Sequence, residues 1–211
     1  MVVGADGKTR RACRSEDSAS LVRMLALPSE DLPKNLREME LPYPEICEIL
    51  LERRQTEFLI NAYQQSSDAR VRSYLVSRVL YYIEEPAVLA VFRAQLSEEE
   101  DEESYYVANY VAKTGDTKAL KILNCHYYLY PVSSVQWSDT VELFGKFGYR
   151  PAIPNLIESL DAASFNLVDA AEESLEKLYP DSPRKFESLE AARDYFTKRA
   201  EEERKREEVK R

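Results

Sequence analysis

The residues most able to do chemistry in this chain are few and scattered. Cys125 and His126 are adjacent, and a thiol beside the sole imidazole could mark a nucleophile or half of a metal site. Neighbouring residues on a helix, however, point about 100° apart and do not converge on one atom. His126 also falls where related segments carry Phe92 and Ile157, which predicts a packed imidazole. The run Ser97-Glu98-Glu99-Glu100-Asp101-Glu102-Glu103 could hold a cation or dock a basic partner. It lacks the spacing and glycine of a calcium loop, and acids just before a helix already complement its N-terminus. Fourteen tyrosines, with pairs at Tyr81-Tyr82, Tyr105-Tyr106 and Tyr127-Tyr128, supply ring area for either a core or a binding face. No nucleophile–base pair, phosphate-cradling glycine loop or ligand cluster emerges, so no cofactor and no metal is expected.

What must position these residues is helical. Apolar residues recur at helical spacing throughout, glycine is rare at 5 in 211 residues, and short polar turns separate the periodic stretches. The clearest hairpin runs from Gly148 through Pro151-Ala152-Ile153-Pro154-Asn155-Leu156-Ile157 to the turn at 161–165, then a second helix over 166–179. Weaker copies precede it at a period of about 30 residues, giving repeats at 56–83, 86–114, 117–148 and 150–179. Columns align across them. Ala87, Ala119 and Ala152 share a small position in the first helix. Val79, Val111, Phe144 and Leu175 share one core position in the second, and Leu75, Val107, Thr140 and Ala171 another. Gly115 and Gly148 each end a second helix, and Lys113, Lys146 and Lys177 share the last turn.

Asp68-Ala69-Arg70-Val71-Arg72 and the Pro151–Ile157 segment with Asp161 resemble HEAT repeats. The resemblance spans about 56–179 and implies an all-α fold, a right-handed α-α superhelix of about four hairpins. Atypical helices over 17–27, 29–40 and 45–54 would cap one end, and a helix from about 188 the other. The organisation expected is a flexible basic arm at 1–15, a single solenoid domain at 16–198 and a charged, solvated tail at 199–211.

In such repeats the second helices line a concave face. Here that face would carry Ser73, Ser77, Tyr105, Asn109, Ser138, Glu142, Asp169 and Glu173, neutral at one end and acidic at the other. Trp137 falls on the core side with Val168. The expected function is a protein- or peptide-binding scaffold without catalysis, and a basic peptide suits the groove best. A net charge of −9 disfavours nucleic acid as a partner. Two alternatives accompany it: a HEAT-like enzyme or enzyme subunit (bilin-lyase-like, or base-excising with Arg70, Arg72, Arg78 and Trp137 in a cleft), and a structural or regulatory subunit assembling through its ends. No stretch reaches membrane-spanning length. The absence of an apolar core in 1–14 predicts no signal peptide, and three scattered cysteines without a CxxC suit reduced thiols in the cytoplasm.

Overall fold

The structure, a computed structural model, describes residues 17–26, 43–130, 132–183 and 185–209. The expected arm at 1–15 and the expected helix at 29–40 lie outside them. The described residues form eleven α-helices and no strand, an all-α fold as the periodicity requires. The helices gather into two compact units, Met1–Gln95 and Leu96–Arg211. The expected repeat 86–114 is divided between them.

The first unit holds α1 (Ser18–Ala26), α2 (Tyr43–Glu52), α3 (Thr56–Gln65), α4 (Ala69–Arg78) and α5 (Pro86–Ala94). Leu21, Leu25, Ile46, Leu50 and Leu59 are buried, and Tyr63 meets Phe92 edge-on with ring centroids 6.1 Å apart. Asp68 caps α4 by accepting from the Arg70 backbone N–H at 2.9 Å. The guanidinium of Arg70, bonded to the same carboxylate, holds that acid below its ordinary range. In the repeat expected over 56–83 the second helix, α4, ends at Arg78. Val79 leaves helical geometry and Leu80–Tyr82 make a 3₁₀ turn. Ala87 departs from its column and is exposed. Val88 and Phe92, four residues apart, take the buried side of α5 and turn the smaller Ala87 outward.

The second unit holds α6 (Glu102–Ala112), α7 (Thr117–Cys125), α8 (Ser134–Lys146), α9 (Ile153–Ser159), α10 (Phe165–Leu178) and α11 (Leu189–Val209). Its helix starts are built from side chains. Asp101 accepts from the Ser104 N–H at 2.7 Å, Asp116 from those of Lys118 and Ala119, and Ser133 and Gln136 form a capping box. Gly115 (φ +79°) and Gly148 (φ +62°) take left-handed geometry after α6 and α8, as their placement predicts. In the repeat expected over 117–148 the first helix, α7, stops at Cys125, and Tyr128 adopts φ +63° in the turn that follows.

Two bonds fix the relation of α8 to α10. Tyr127 and Ser159 share a hydrogen bond of 2.5 Å between hydroxyls, joining the residues before α8 to the end of α9, just before α10. Arg150 Nη1 donates to Leu178 O at 2.9 Å, joining the residues after α8 to the last turn of α10. The two helices therefore run parallel. They approach closely because Gly145 has no side chain: a Cβ there would lie 2.7 Å from Ser174 Cα. Ser174 in turn gives its hydroxyl proton to Val141 O at 2.9 Å, so the small polar residue at the contact is satisfied.

α11 closes the unit. Ala192 and Phe196 are fully buried, and Phe196 stacks near Tyr179 with centroids 5.8 Å apart. Beyond the boundary expected at 198 the helix continues unbroken to Val209. Glu203 accepts from Arg150 and from the Tyr179 hydroxyl, the latter at 3.2 Å. Between α9 and α11 lies an open cavity of about 640 Å³ lined by Ile153, Ile157, Tyr179, Ala200 and others. Among the described residues no helix is long and apolar enough to cross a membrane.

The α8–α10 contact gives the first testable outcome. Gly145→Ala drives a methyl into the Ser174 backbone, which a rotamer change cannot relieve. Chemical denaturation of the variant is expected to show a loss of about 1–3 kcal/mol. An unchanged midpoint would mean that the helices sit further apart.

Candidate partner-binding face

Of the eight residues expected on one exposed face, the structure exposes three. Glu142, Asp169 and Glu173 are exposed on α8 and α10. Tyr105 (1% exposed) and Asn109 (0%) are instead buried on α6, as are Ser138 on α8 and Ser77 on α4. Ser73 on α4 is half-buried. The face is thus corrected: Tyr105, Asn109, Ser138 and Ser77 belong to the interior.

For Tyr105 and Asn109 the reason is a polar centre within the apolar core. Thr140 occupies a buried core column, and its hydroxyl needs partners. The Tyr105 hydroxyl lies 3.1 Å from Thr140 Oγ1 and donates to Gln136 O. Asn109 Nδ2 donates to Thr140 Oγ1 at 3.0 Å and to the Tyr105 oxygen at 3.3 Å. Gln136 also bonds Tyr106, which ties the N-terminal turn of α8 to α6. Trp137 packs among Tyr105, Tyr127, Tyr128 and Tyr130, with centroids 4.6–6.2 Å away. Its expected core position holds, and α6 is buried along its length from Ser104 to Ala112.

Cys125 and His126 do not form a pair with one task. The thiol is exposed, while His126 is half-buried with Nδ1 3.5 Å from Glu100 Oε1 and the ring 5.5 Å from Tyr130. Tyr130 is buried close to Glu98, Glu100 and Asp101. Desolvation first, and these carboxylates next, push its hydroxyl well above the ordinary phenol range. Among the described residues no group of three or more His, Cys, Asp or Glu is placed to hold a metal ion. In the first unit Cys47 is buried, and desolvation pushes its thiol up to about 12.

What remains exposed is organised. On α8 the exposed residues past the first are Val135, Asp139, Glu142 and Lys146, one narrow stripe at helical spacing. On α10 they are Phe165, Asn166, Asp169, Glu173 and Lys177, with Glu172 and Glu176 half-buried at the rim. Viewed from the N-terminus at about 100° per residue, the α8 stripe stands roughly 110° clockwise from the contact residues Val141 and Gly145. On α10, Asn166, Asp169 and Glu173 stand roughly 80–140° anticlockwise from Ser174, while Phe165 and Glu172 point nearly straight away from α8. For parallel neighbours these opposite senses put Asn166, Asp169 and Glu173 on the same side as the α8 stripe. Along α8 the chemistry is graded: apolar at the start, acidic in the middle, basic at the end.

The acids crowd one another. Burial, then the carboxylates of Glu176 and Asp169, raise Glu172 above the ordinary glutamate range. Burial likewise raises Asp139, with the nearby Lys113 opposing. Glu173 has a cation within reach, Lys177 Nζ at 3.8 Å one turn on. Asp139, Glu172 and Glu176 were absent from the sequence expectation. Asp139 is detectable in the sequence as the residue four past Val135 and three before Glu142, on the same helix face.

Two outcomes follow. Tyr105→Phe removes the hydroxyl at the centre of the buried network, and denaturation is expected to show a cost of about 1–3 kcal/mol. A neutral result would mean that the network contributes nothing. For Glu172 the sign is set by its raised folded-state pKa: the penalty is fully present above that value and vanishes below the ordinary glutamate value. Glu172→Gln should therefore raise the melting temperature at neutral pH, with the gain fading as the pH falls through that window. A gain that persists in acid would contradict the electrostatic cause. Comparison with family models, with curated proteins and with solved structures found no match, so the chemistry of this face rests on its own residues.

Proposed function

We propose that this chain is a HEAT-like binding module without catalytic activity, and that the face formed by α8 and α10 takes a basic segment of a partner protein. One observation carries the reading. Asp139, Glu142, Asp169 and Glu173 are exposed on two parallel helices, and helical spacing sets them on one side of the pair. Burial, then the carboxylates of Glu176 and Asp169, already disfavour ionisation at Glu172. A cation placed over them gains attraction and relieves repulsion at once. Phosphate backbones would meet the opposite effect, which argues against nucleic acid. A cytoplasmic setting, in which Cys47 and Cys125 stay reduced, accompanies the proposal.

The test compares the wild-type chain with Glu142→Lys/Asp169→Lys/Glu173→Lys as bait in a lysate of the source cells. All three residues are exposed, so the variant should keep its melting temperature. Proteins held by wild type should be lost by the variant and should elute with salt. The expected weakening is about tenfold or more, equivalent to about 1.4 kcal/mol. Partners retained in full by the variant would show that this face is not the one used.

A further inference from the structure

The acidic run before α6 meets the turn between α7 and α8 at a polar cluster that the α8–α10 face does not use. His126 caps the end of α7, and its carbonyl accepts from the Leu129 N–H at 2.9 Å. After this tight turn Tyr130 lies against the imidazole, with ring centroids 5.5 Å apart. His126 Nδ1 is 3.5 Å from Glu100 Oε1, longer than an ordinary hydrogen bond. Both His126 Nδ1 and the Tyr130 hydroxyl are buried and have no hydrogen-bond partner. Tyr130 is only 2% exposed, and Glu98, Glu100 and Asp101 are near enough for their charge to raise its hydroxyl. The hydroxyl therefore faces the same carboxylates as the imidazole. A buried polar atom without a partner is destabilising unless something else meets it.

Charge decides what can meet these atoms. A neutral imidazole nitrogen presents a lone pair, and Glu100 adds a negative charge beside it, so the cluster calls for a cation. An imidazole nitrogen and a carboxylate oxygen on one tetrahedral zinc ion, each about 2.0–2.2 Å from it, stand about 3.4 Å apart. The 3.5 Å between His126 Nδ1 and Glu100 Oε1 fits that spacing. An ammonium or guanidinium group is too bulky to reach atoms so shielded, whereas an ion can enter past Glu100, whose side chain is 56% exposed. Nitrogen beside oxygen selects a metal of the zinc class over magnesium or calcium, which prefer oxygen alone.

We propose that His126 Nδ1 and Glu100 bind a divalent ion of the zinc class, and that the Tyr130 hydroxyl accepts a hydrogen bond from a water on that ion. Among the described residues no group of three or more His, Cys, Asp or Glu is placed around a metal. Two protein ligands are fewer than a structural zinc site holds, so the ion exchanges with solution. Asp101, committed to capping α6, supplies charge and not a ligand. Once bound, the ion ties the segment before α6 to the α7–α8 turn.

The experiment titrates Zn²⁺ into the full, untagged chain and follows the imidazole by ¹⁵N NMR. His126 is the sole histidine, so its two ring signals are unambiguous. Zn²⁺ should move the Nδ1 signal far more than the Nε2 signal and should raise the melting temperature. Mg²⁺ at the same concentration should do neither. Glu100→Gln should lose the shift at a Zn²⁺ concentration that saturates wild type. Tyr130→Phe should keep the Nδ1 shift but weaken binding about tenfold. Cys125→Ser should bind like wild type. An imidazole unmoved by Zn²⁺, or metallated at Nε2, would overturn the site. A shift that survives Glu100→Gln but is lost in Cys125→Ser would also overturn it, by assigning the ion to the neighbouring thiol. Unchanged affinity in Tyr130→Phe would overturn the role of the hydroxyl.

Discussion

The close, parallel contact of α8 with α10 is the constraint on which the second unit depends. It exists because one position on each helix is small: Gly145 presents only backbone, and Ser174 fits against it with its hydroxyl bonded to Val141 O. A larger residue at either place would separate the axes and loosen the core columns above and below, Thr140 with Ala171 and Phe144 with Leu175. The same contact sets the rotation of each helix about its own axis. With Gly145 and Ser174 turned toward each other, Glu142 and Asp169 have nowhere to point but outward, and on the same side.

The buried polar centre acts through a second constraint. Thr140 sits where the aligned helices carry Leu75, Val107 or Ala171, so its hydroxyl enters the core and must be bonded there. Tyr105 and Asn109, one turn apart on α6, supply the bonds. This accounts for a helix that carries Tyr, Asn and Ser yet is buried along its length. Such a network specifies how α6 and α8 dock, because a slip by one residue would leave several polar atoms unpaired in a low-dielectric interior.

That network also explains what the amino-acid sequence could and could not disclose. Helix positions, caps and core columns were legible because each leaves a local mark: Asp68, Asp101 and Asp116 at helix starts, Gly115 and Gly148 at helix ends, and apolar residues at helical spacing between. The exposed face was legible on α10, where polar and apolar sides differ sharply, and Asp169 and Glu173 were read correctly as surface. It failed on α6, since a helix buried on all sides offers no polar stripe and its polar residues look like one. Tyr105 and Asn109 were misplaced for that reason, and Ser138 was misplaced by one residue against Asp139. Ala87 shows the same limit in the first unit: repeat alignment gave it a column, but burial went to the larger Val88 and Phe92. The charged segment beyond 198 carries few apolar residues, so nothing in its pattern revealed that Glu203 reaches Arg150 and Tyr179.

The placement of charge on α8 and α10 is not what helix stability alone would select. A carboxylate strengthens a helix in its first turn, where it faces the unpaired N–H groups, and its benefit fades within that turn. Here the first turns present Val135 and Phe165 to solvent, and the acids begin later, at Asp139 and Asp169. Lys146 and Lys177 do obey the dipole, and Lys177 reaches back to Glu173. Burial first, then the carboxylates of Glu176 and Asp169, raises Glu172, which costs stability at neutral pH instead of adding to it. An arrangement that leaves a phenylalanine in water and gathers carboxylates past the point where they help the helix is poorly suited to folding. It suits the basic partner segment proposed above.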